Sequence, residues 1–151
     1  MPPAPSSLDA HLGFWLRFVS NHVSHAFQLK VEAHGVTVAE WVVLRQLFAL
    51  GEVPPSRLAD EMGMTRGGVS KLVERLRAKK FVTRSAGGAD KRFQSVGLTA
   101  AGKELVPGLA ALADRNDAEF FGHLSDEHRN AIAGVLKDIV RRHGLKDLPT
   151  H

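Results

Sequence analysis

Residues 56–75 combine hydroxyl, basic and glycine residues in a spacing that suits contact with nucleic acid. Two helical patterns begin in this stretch, and they carry the candidate residues Ser56, Arg57, Thr65, Arg66, Gly67, Gly68, Ser70, Lys71 and Arg75. Hydroxyl and guanidinium groups at the start of a helix bind phosphate oxygens, and an arginine can also make a bidentate contact with guanine. We therefore expect Arg66 to contact a base. The other polar members are expected to hold phosphates or to add to the base contacts.

The apolar residues between these side chains predict a helix-turn-helix. Residues 56–62 read as a short helix with Ser56 as its N-cap. Gly63 can adopt the left-handed conformation that ends this helix. Thr65 is expected to cap a second helix, from residue 66 to about residue 79, with an inward stripe of Val69, Leu72, Val73 and Leu76. This spacing is typical of a helix that supports a recognition helix in the major groove, although an ordinary helical hairpin is the alternative.

Gly67 and Gly68 are two poor helix formers at the start of the expected recognition helix. Each costs about 0.8–1 kcal/mol relative to alanine. Close approach of this turn to DNA, with no side chain to clash, would account for them. Fraying of the helix end is the other interpretation.

A glycine-rich hairpin with a basic tip follows. Residues 81–85 and 93–98 alternate in the manner of two short strands, and residues 86–92 connect them. Asp90, Lys91 and Arg92 lie at the tip, and Arg84 on the hairpin is a further phosphate candidate. A solvated loop is the alternative interpretation of the tip.

Charge is concentrated in the same part of the chain. Residues 57–103 carry eleven Lys or Arg and four Asp or Glu, a net charge of +7. Residues 1–56 have a net charge of −1 and residues 104–151 a net charge of −2. Such a positive region is the electrostatic footprint of a surface that binds phosphates. The segregation favours double-stranded DNA as the partner.

Composition limits the class of protein. The 151 residues are enough for one domain with its own core. The sequence has no apolar run of 18 residues, so no membrane partner is expected, and residues 1–7 read as a disordered tail rather than a signal peptide. The chain has no cysteine, which excludes disulfides and thiolate chemistry and fits a cytoplasmic location.

The remaining segments predict a mainly α fold with a small two-stranded β-wing. Residues 8–32 read as a long helix with apolar residues on two faces, and residues 37–50 as a helix with Thr37 and Glu40 in a capping box. A helix from about residue 100 to residue 121 and a last helix capped by Ser125 complete the order α-α-α-α-β-β-α-α. The apolar faces of the first and last helices need more cover than one small domain supplies, which indicates a partner subunit.

The chain resembles the MarR family of bacterial winged helix-turn-helix regulators over essentially its whole length. The resemblance rests on residues 58–65 and 69–76, and above all on Asp90-Lys91-Arg92 followed by Leu98-Thr99-Ala100-Ala101-Gly102. It implies a homodimer whose first and last helices interlock. It also implies repression of nearby promoters that a small aromatic or phenolic acid relieves.

The same resemblance divides the chain into functional parts. Residues 8–151 would form a single MarR-type domain, with dimerisation helices in residues 8–34 and 104–151 and the winged helix-turn-helix in residues 37–102. Arg92 would reach toward the minor groove, and Asp90 would shape the wing. Lys80 departs from the family pattern, which usually has glycine just after the recognition helix. A left-handed lysine there costs about 1 kcal/mol or more.

A cavity for the effector is expected between the first two helices. Its candidate residues are aromatic, with polar or cationic companions: Trp15, Phe18, His22, Trp41, Arg45 and Phe48. Aromatic residues at helical spacing are more often part of a core, and this alternative stays open.

Other functional classes find less support. His22 and His25 lie one helical turn apart, but no converging third ligand is evident, so neither a metal nor another cofactor is expected. No catalytic triad or phosphate-binding glycine loop is visible, so an enzyme is not expected. A protein-interaction module and a metal-dependent regulator remain as competing functions.

Overall fold

The computed structural model describes residues 1–86 and 94–145. Within them the chain forms six α-helices and one two-stranded antiparallel sheet. In chain order these are α1 (Leu12–Glu32), α2 (Val38–Leu50), α3 (Pro55–Met62), α4 (Arg66–Ala78), β1 (Val82–Ala86), β2 (Gln94–Leu98), α5 (Ala100–Phe121) and α6 (Asp126–His143). The predicted fold class, a mainly α chain with a two-stranded wing, is confirmed.

Side-chain caps fix the starts of four helices. Thr37 and Glu40 form the predicted capping box of α2, in which each side chain accepts a hydrogen bond from the other residue's backbone N–H. The hydroxyls of Thr65, Thr99 and Ser125 cap α4, α5 and α6, and each accepts one hydrogen bond from the amide three residues later. These contacts satisfy donors that a helix start leaves free.

Two predicted helix starts are wrong. Ser56 is not an N-cap, because α3 begins one residue earlier, at Pro55, and no side chain caps it. Proline suits this first helical position, since its fixed φ is helical and its missing N–H is not needed there. The first long helix is also interrupted. Residues Leu8–Ala10 form a separate 3₁₀ turn, and His11 is extended before α1 begins at Leu12.

The core lies where α2, α4 and the wing meet α3 and the first half of α5. Its fully buried side chains include Val43, Leu44, Leu58, Val69, Val73, Leu76, Val96 and Leu109. The predicted inward stripe of α4 is confirmed, since all four of its residues are buried. Gly63 ends α3 in the left-handed conformation, with φ of 60°. Burial of the stripe turns the opposite face of α4 outward.

The residues after β2 tie the wing to α5. Thr99 Oγ1 donates to the carbonyl oxygen of Lys80 at 2.7 Å, and the Thr99 amide donates to the carbonyl oxygen of Phe81 at 3.0 Å. Gly102 lies so close to the same Phe81 carbonyl that a Cβ there would be 2.2 Å from its oxygen. The 98–102 motif is therefore the joint between the wing and the helix that follows.

The long helices leave large apolar side chains uncovered in the single chain. About half or more of the surface of each of these side chains is exposed: Leu12, Trp15 and Leu16 of α1, and Ile132 and Val135 of α6. Together with α5, these helices border an apolar groove of about 760 Å³. None of the described helices is long and apolar enough to cross a membrane.

Candidate nucleic-acid interface

A groove of about 620 Å³ runs between the start of α3, the first turns of α4 and the root of the wing. It is lined by Pro54, Pro55, Ser56, Arg66, Gly67, Ser70, Arg84 and Gln94. Five of these residues are among those predicted to contact DNA. The structure thus brings together, on one surface, side chains that lie up to 28 positions apart in the sequence.

The first turns of α4 present their polar residues outward for a simple geometric reason. The four buried residues of its stripe recur at three- and four-residue intervals, so they occupy one side of the helix. Arg66, Gly67, Lys71 and Arg75 are all exposed as a result, and Arg57 is exposed on the neighbouring α3. Thr65 is exposed at the start of α4, and its hydroxyl accepts the predicted capping hydrogen bond from the Gly68 amide at 3.0 Å.

Arg84 is held in place at the root of the wing. Its Nε and one terminal nitrogen donate to Gln94 Oε1 at 3.1 and 2.7 Å, and its other terminal nitrogen lies 3.3 Å from Glu74 Oε1. Only 28% of its side chain is exposed. Arg84 therefore forms part of the groove wall, with much of its hydrogen-bonding capacity already used inside the protein.

Glu74 lies beside this groove, next to Arg84 and Gln94, and its carboxylate pairs with two arginines. Arg77 donates to its carboxylate at 3.0 Å, and Arg84 approaches the other oxygen. The hydrogen bond from Arg77, with a smaller contribution from Arg84, lowers the pKa of Glu74 despite some desolvation. The ionised carboxylate thus orients two guanidinium groups beside α4.

Sequence reasoning missed Gln94, which lines the groove, and Glu74, which lies beside it. The spacing of Glu74 and Arg77, three residues apart on one helix, is a signal that could have indicated an ion pair. Gln94 could be found only from the register of the wing, in which Arg84 pairs with Val96 and Ala86 pairs with Gln94. This register makes Arg84 and Gln94 diagonal neighbours.

The three predicted residues of the wing tip, Asp90, Lys91 and Arg92, lie outside the described residues. Lys80 is left-handed, with φ of 69°, at the position where the sequence predicted strain. Among the residues that the structure describes, no three His, Asp or Glu side chains are grouped in a way that could hold a metal ion.

The six predicted effector residues do not surround one cavity in the single chain. Trp15 borders the apolar groove of α1, α5 and α6, and it forms an exposed aromatic row with Phe18 and His22. Trp41 is 9% exposed and packs edge-on against Phe27, with ring centroids 6.4 Å apart, so it belongs to the core. Arg45 and Phe48 form a separate pair on α2, with the guanidinium carbon 5.9 Å from the ring centroid.

Phe48 borders a second, smaller cleft at the end of α2. This cleft of about 350 Å³ lies between α2, both wing strands and the start of α5, and it is lined by Leu47, Phe48, Gly51, Glu52, Thr83, Gly97, Leu98 and Lys103. The Phe48 ring is half exposed. This cleft beside the wing is thus lined by both an aromatic face and an ammonium group.

Comparison with known proteins supports the same architecture. A sequence model of the MarR family matches residues 34–92. The transcriptional regulator MhqR of Bacillus subtilis is 24% identical over 127 residues, which are 82% of this chain and 82% of MhqR.

Two solved structures share the fold. The structure of BpsR from Bordetella bronchiseptica, whose DNA binding is regulated by 6-hydroxynicotinic acid, has a TM-score of 0.79 and 27% identity, and the match covers 90% of this chain and 97% of that one. Staphylococcus aureus MepR in complex with DNA has a TM-score of 0.80 over 87% of this chain and 98% of that one. At 22% identity, the MepR likeness shows the fold alone.

Proposed function

Because this chain belongs to the MarR family of transcriptional regulators, we propose that it binds double-stranded DNA as a homodimer and represses promoters near its binding sites. The groove between α3, α4 and the wing is the observation that carries this proposal. It gathers Ser56, Arg66 and Ser70 on one surface, and all but the first of these lie in residues 57–103, whose net charge is +7. A recognition helix flanked by phosphate-binding groups is suited to the major groove.

The proposed operator is an inverted repeat. Two copies of the chain related by a two-fold axis would place two α4 helices in successive major grooves. The half-site centres are then expected about 10–10.5 bp apart, or at a multiple of that spacing. In the wing, Arg92 would enter a narrow minor groove, whose enhanced negative potential attracts arginine.

A salt titration of duplex binding tests the proposal. Duplexes selected by the purified protein from a random pool are bound at several salt concentrations, and the logarithm of the affinity should fall linearly with the logarithm of the salt concentration. Lys71→Ala should reduce that slope by about 1, and Arg66→Ala should cost about 1–3 kcal/mol at one base position. Arg92→Ala should weaken binding most where the flanking minor groove is narrow.

Arg115→Ala is the matched control, since Arg115 is exposed on α5, away from α3, α4 and the wing. It should bind like the parent at every salt concentration. Duplex binding that is insensitive to salt, or equal in the Arg66→Ala and Arg115→Ala variants, would contradict the proposed interface.

We further propose that a small aromatic acid lowers the affinity for the operator by binding in the cleft at the end of α2. The half-exposed Phe48 ring offers a stacking surface, and Lys103 offers a cation for a carboxylate. The negative charge of Glu52 disfavours binding of an anion, but its carboxylate accepts a hydrogen bond from Ser95 Oγ at 2.8 Å. The regulation of BpsR by 6-hydroxynicotinic acid, a small aromatic acid, supports this ligand class.

Contact with the wing and with α5 would let a ligand in this cleft distinguish between two arrangements of the recognition helices. A tenfold difference in affinity for the two arrangements shifts their equilibrium by about 1.4 kcal/mol. A panel of aromatic acids is tested for release of DNA and for quenching of tryptophan fluorescence. Phe48→Ala should lose the response, whereas Trp15→Ala should keep it. The reverse outcome would place the effector on the aromatic row of α1.

A further inference from the structure

The two adjacent glycines of α4 have different surroundings. A Cβ at Gly68 would lie 3.2 Å from both Met64 Cε and Thr65 Oγ1, which is tighter than ordinary contact. The Gly68 amide also donates to the capping hydroxyl of Thr65. Packing around the cap of α4 therefore accounts for glycine at position 68.

Nothing within the described protein accounts for glycine at position 67. A Cβ built there would meet no atom within 4 Å, and the backbone of Gly67 is not among the residues with a positive φ. Alanine would fit this space and would favour the helix, because glycine loses more conformational freedom on folding. The absence of a side chain at position 67 thus lowers the stability of α4 without an internal reason.

Gly67 lies in the groove, beside the residues proposed to contact DNA. It is exposed between Arg66 and Ser70 and faces the same space as Ser56. The backbone of α4 itself is therefore the surface of the groove at this point. A molecule bound in the groove could therefore come closer to the α4 backbone at Gly67 than at any position with a side chain. The difference is about the width of one carbon atom.

We propose that Gly67 is a specificity-determining residue that lets base edges of the operator pack directly against the backbone of α4. This inference rests on the proposed DNA-binding function. A Cβ at position 67 would hold the helix away from the bases and lengthen the hydrogen bonds from the adjacent Arg66. Phosphate contacts made by long, flexible lysine and arginine side chains would adapt to that displacement, whereas base contacts at fixed geometry would not.

The test compares Gly67→Ala with Gly108→Ala, which is a matched control in α5 because a Cβ at Gly108 also meets no atom within 4 Å. Both variants are unfolded with urea and titrated with two duplexes of equal length, the selected operator and an unrelated sequence. Gly67→Ala should unfold at the same urea concentration as the parent or at a higher one. Its affinity for the operator should fall about tenfold or more, while its affinity for the unrelated duplex stays within about twofold.

Each other outcome overturns the inference in a recognisable way. Binding of the operator by Gly67→Ala as tightly as by the parent would show that no DNA atom approaches position 67. An equal loss on both duplexes, or a loss in Gly108→Ala as well, would remove the claim on specificity. Unfolding of Gly67→Ala at a lower urea concentration would show an internal role for the glycine. If the parent itself shows no salt-dependent duplex binding, the proposed function fails, and this inference fails with it.

Discussion

Glu40 is a fully buried carboxylate that joins the start of α2 to the end of α4. Its Oε1 accepts hydrogen bonds from the Thr37 amide at 2.9 Å and from Lys79 Nζ at 2.8 Å, while Oε2 has no hydrogen-bond partner among the described residues. Lys79 also donates to the carbonyl oxygen of Gly35 at 2.8 Å. Burial raises the pKa of Glu40, but the hydrogen bonds from Lys79 and Thr37 outweigh it, so the pKa lies below its ordinary value.

The ion pair of Glu40 predicts a pH dependence of stability. Below the ordinary glutamate pKa of 4.5 the unfolded chain takes up a proton while the folded chain keeps Glu40 ionised. The contribution of Glu40 to the free energy of unfolding is therefore complete above this pH and is lost as the pH falls through the lowered pKa. Urea unfolding from about pH 6 to about pH 3 measures the loss. Glu40→Gln should lose less stability over this range than the parent.

At neutral pH, Glu40→Gln should also lower the free energy of unfolding by about 1–3 kcal/mol, since Lys79 keeps its charge without a charged acceptor. The matched control is Glu127→Gln, which removes an exposed carboxylate from α6. If both variants showed the parent's pH profile, Glu40 would have no part in the acid sensitivity of the fold.

Lys80 adopts a backbone conformation that favours glycine, with φ of 69°. Two hydrogen bonds of its backbone hold Lys80 in this conformation. Its amide donates to the carbonyl oxygen of Arg77, and its carbonyl oxygen accepts from the Thr99 hydroxyl. Lys80→Gly should therefore raise the free energy of unfolding by about 1 kcal/mol. Ala78→Gly, two residues earlier and in a helical conformation, should lower it. A parent-like or lower stability of Lys80→Gly would mean that the lysine is not strained.

At the scale of elements, the joint between the wing and α5 depends on the close contact of Gly102 with the Phe81 carbonyl. A Cβ at position 102 would meet backbone, which cannot rotate away as a flexible side chain can. We expect Gly102→Ala to lower the free energy of unfolding by about 1–3 kcal/mol, the usual cost of overpacking. Gly108→Ala in the same helix has open space and should be neutral or stabilising. Equal unfolding midpoints for the two variants would contradict this account of the joint.

The elements could be predicted where one local signal decided them. Thr37, Thr65 and Ser125 act as caps, as predicted, because a hydroxyl three residues before a free amide needs no distant partner. The prediction of Ser56 as an N-cap was wrong because Pro55, with its fixed φ, was a stronger local signal for the helix start.

The candidate site could be predicted only in part, for a related reason. The groove residues of α4 follow from its buried stripe, which a periodic sequence reveals. The effector residues depend on which helix faces which, and periodicity does not contain that information. Trp41 therefore lies in the core and Trp15 on the outside, although both occur in apolar stripes.

At the scale of the whole molecule, the single chain leaves large apolar side chains exposed on two of its long helices. Much of the uncovered apolar surface lies on α1 and α6, around the groove that includes Trp15, Val19 and Leu136. In a homodimer, the same helices of a second copy would cover this groove, because a two-fold interface uses the same surface of both copies.

Leu136→Asp tests this arrangement directly. A carboxylate at this position would be buried against the mostly apolar lining of the groove, so the variant should be monomeric at micromolar concentration, where light scattering should show the parent to be a dimer. Lys137→Asp is the control, since it introduces the same residue one position later, outside the residues that line the groove, and it should stay dimeric. The urea unfolding midpoint of the parent should rise with protein concentration, because dissociation accompanies unfolding. A parent that is monomeric, or a Leu136→Asp variant that remains a dimer, would show that α1 and α6 are not the dimer interface, and the proposed inverted-repeat operator would lose its structural basis.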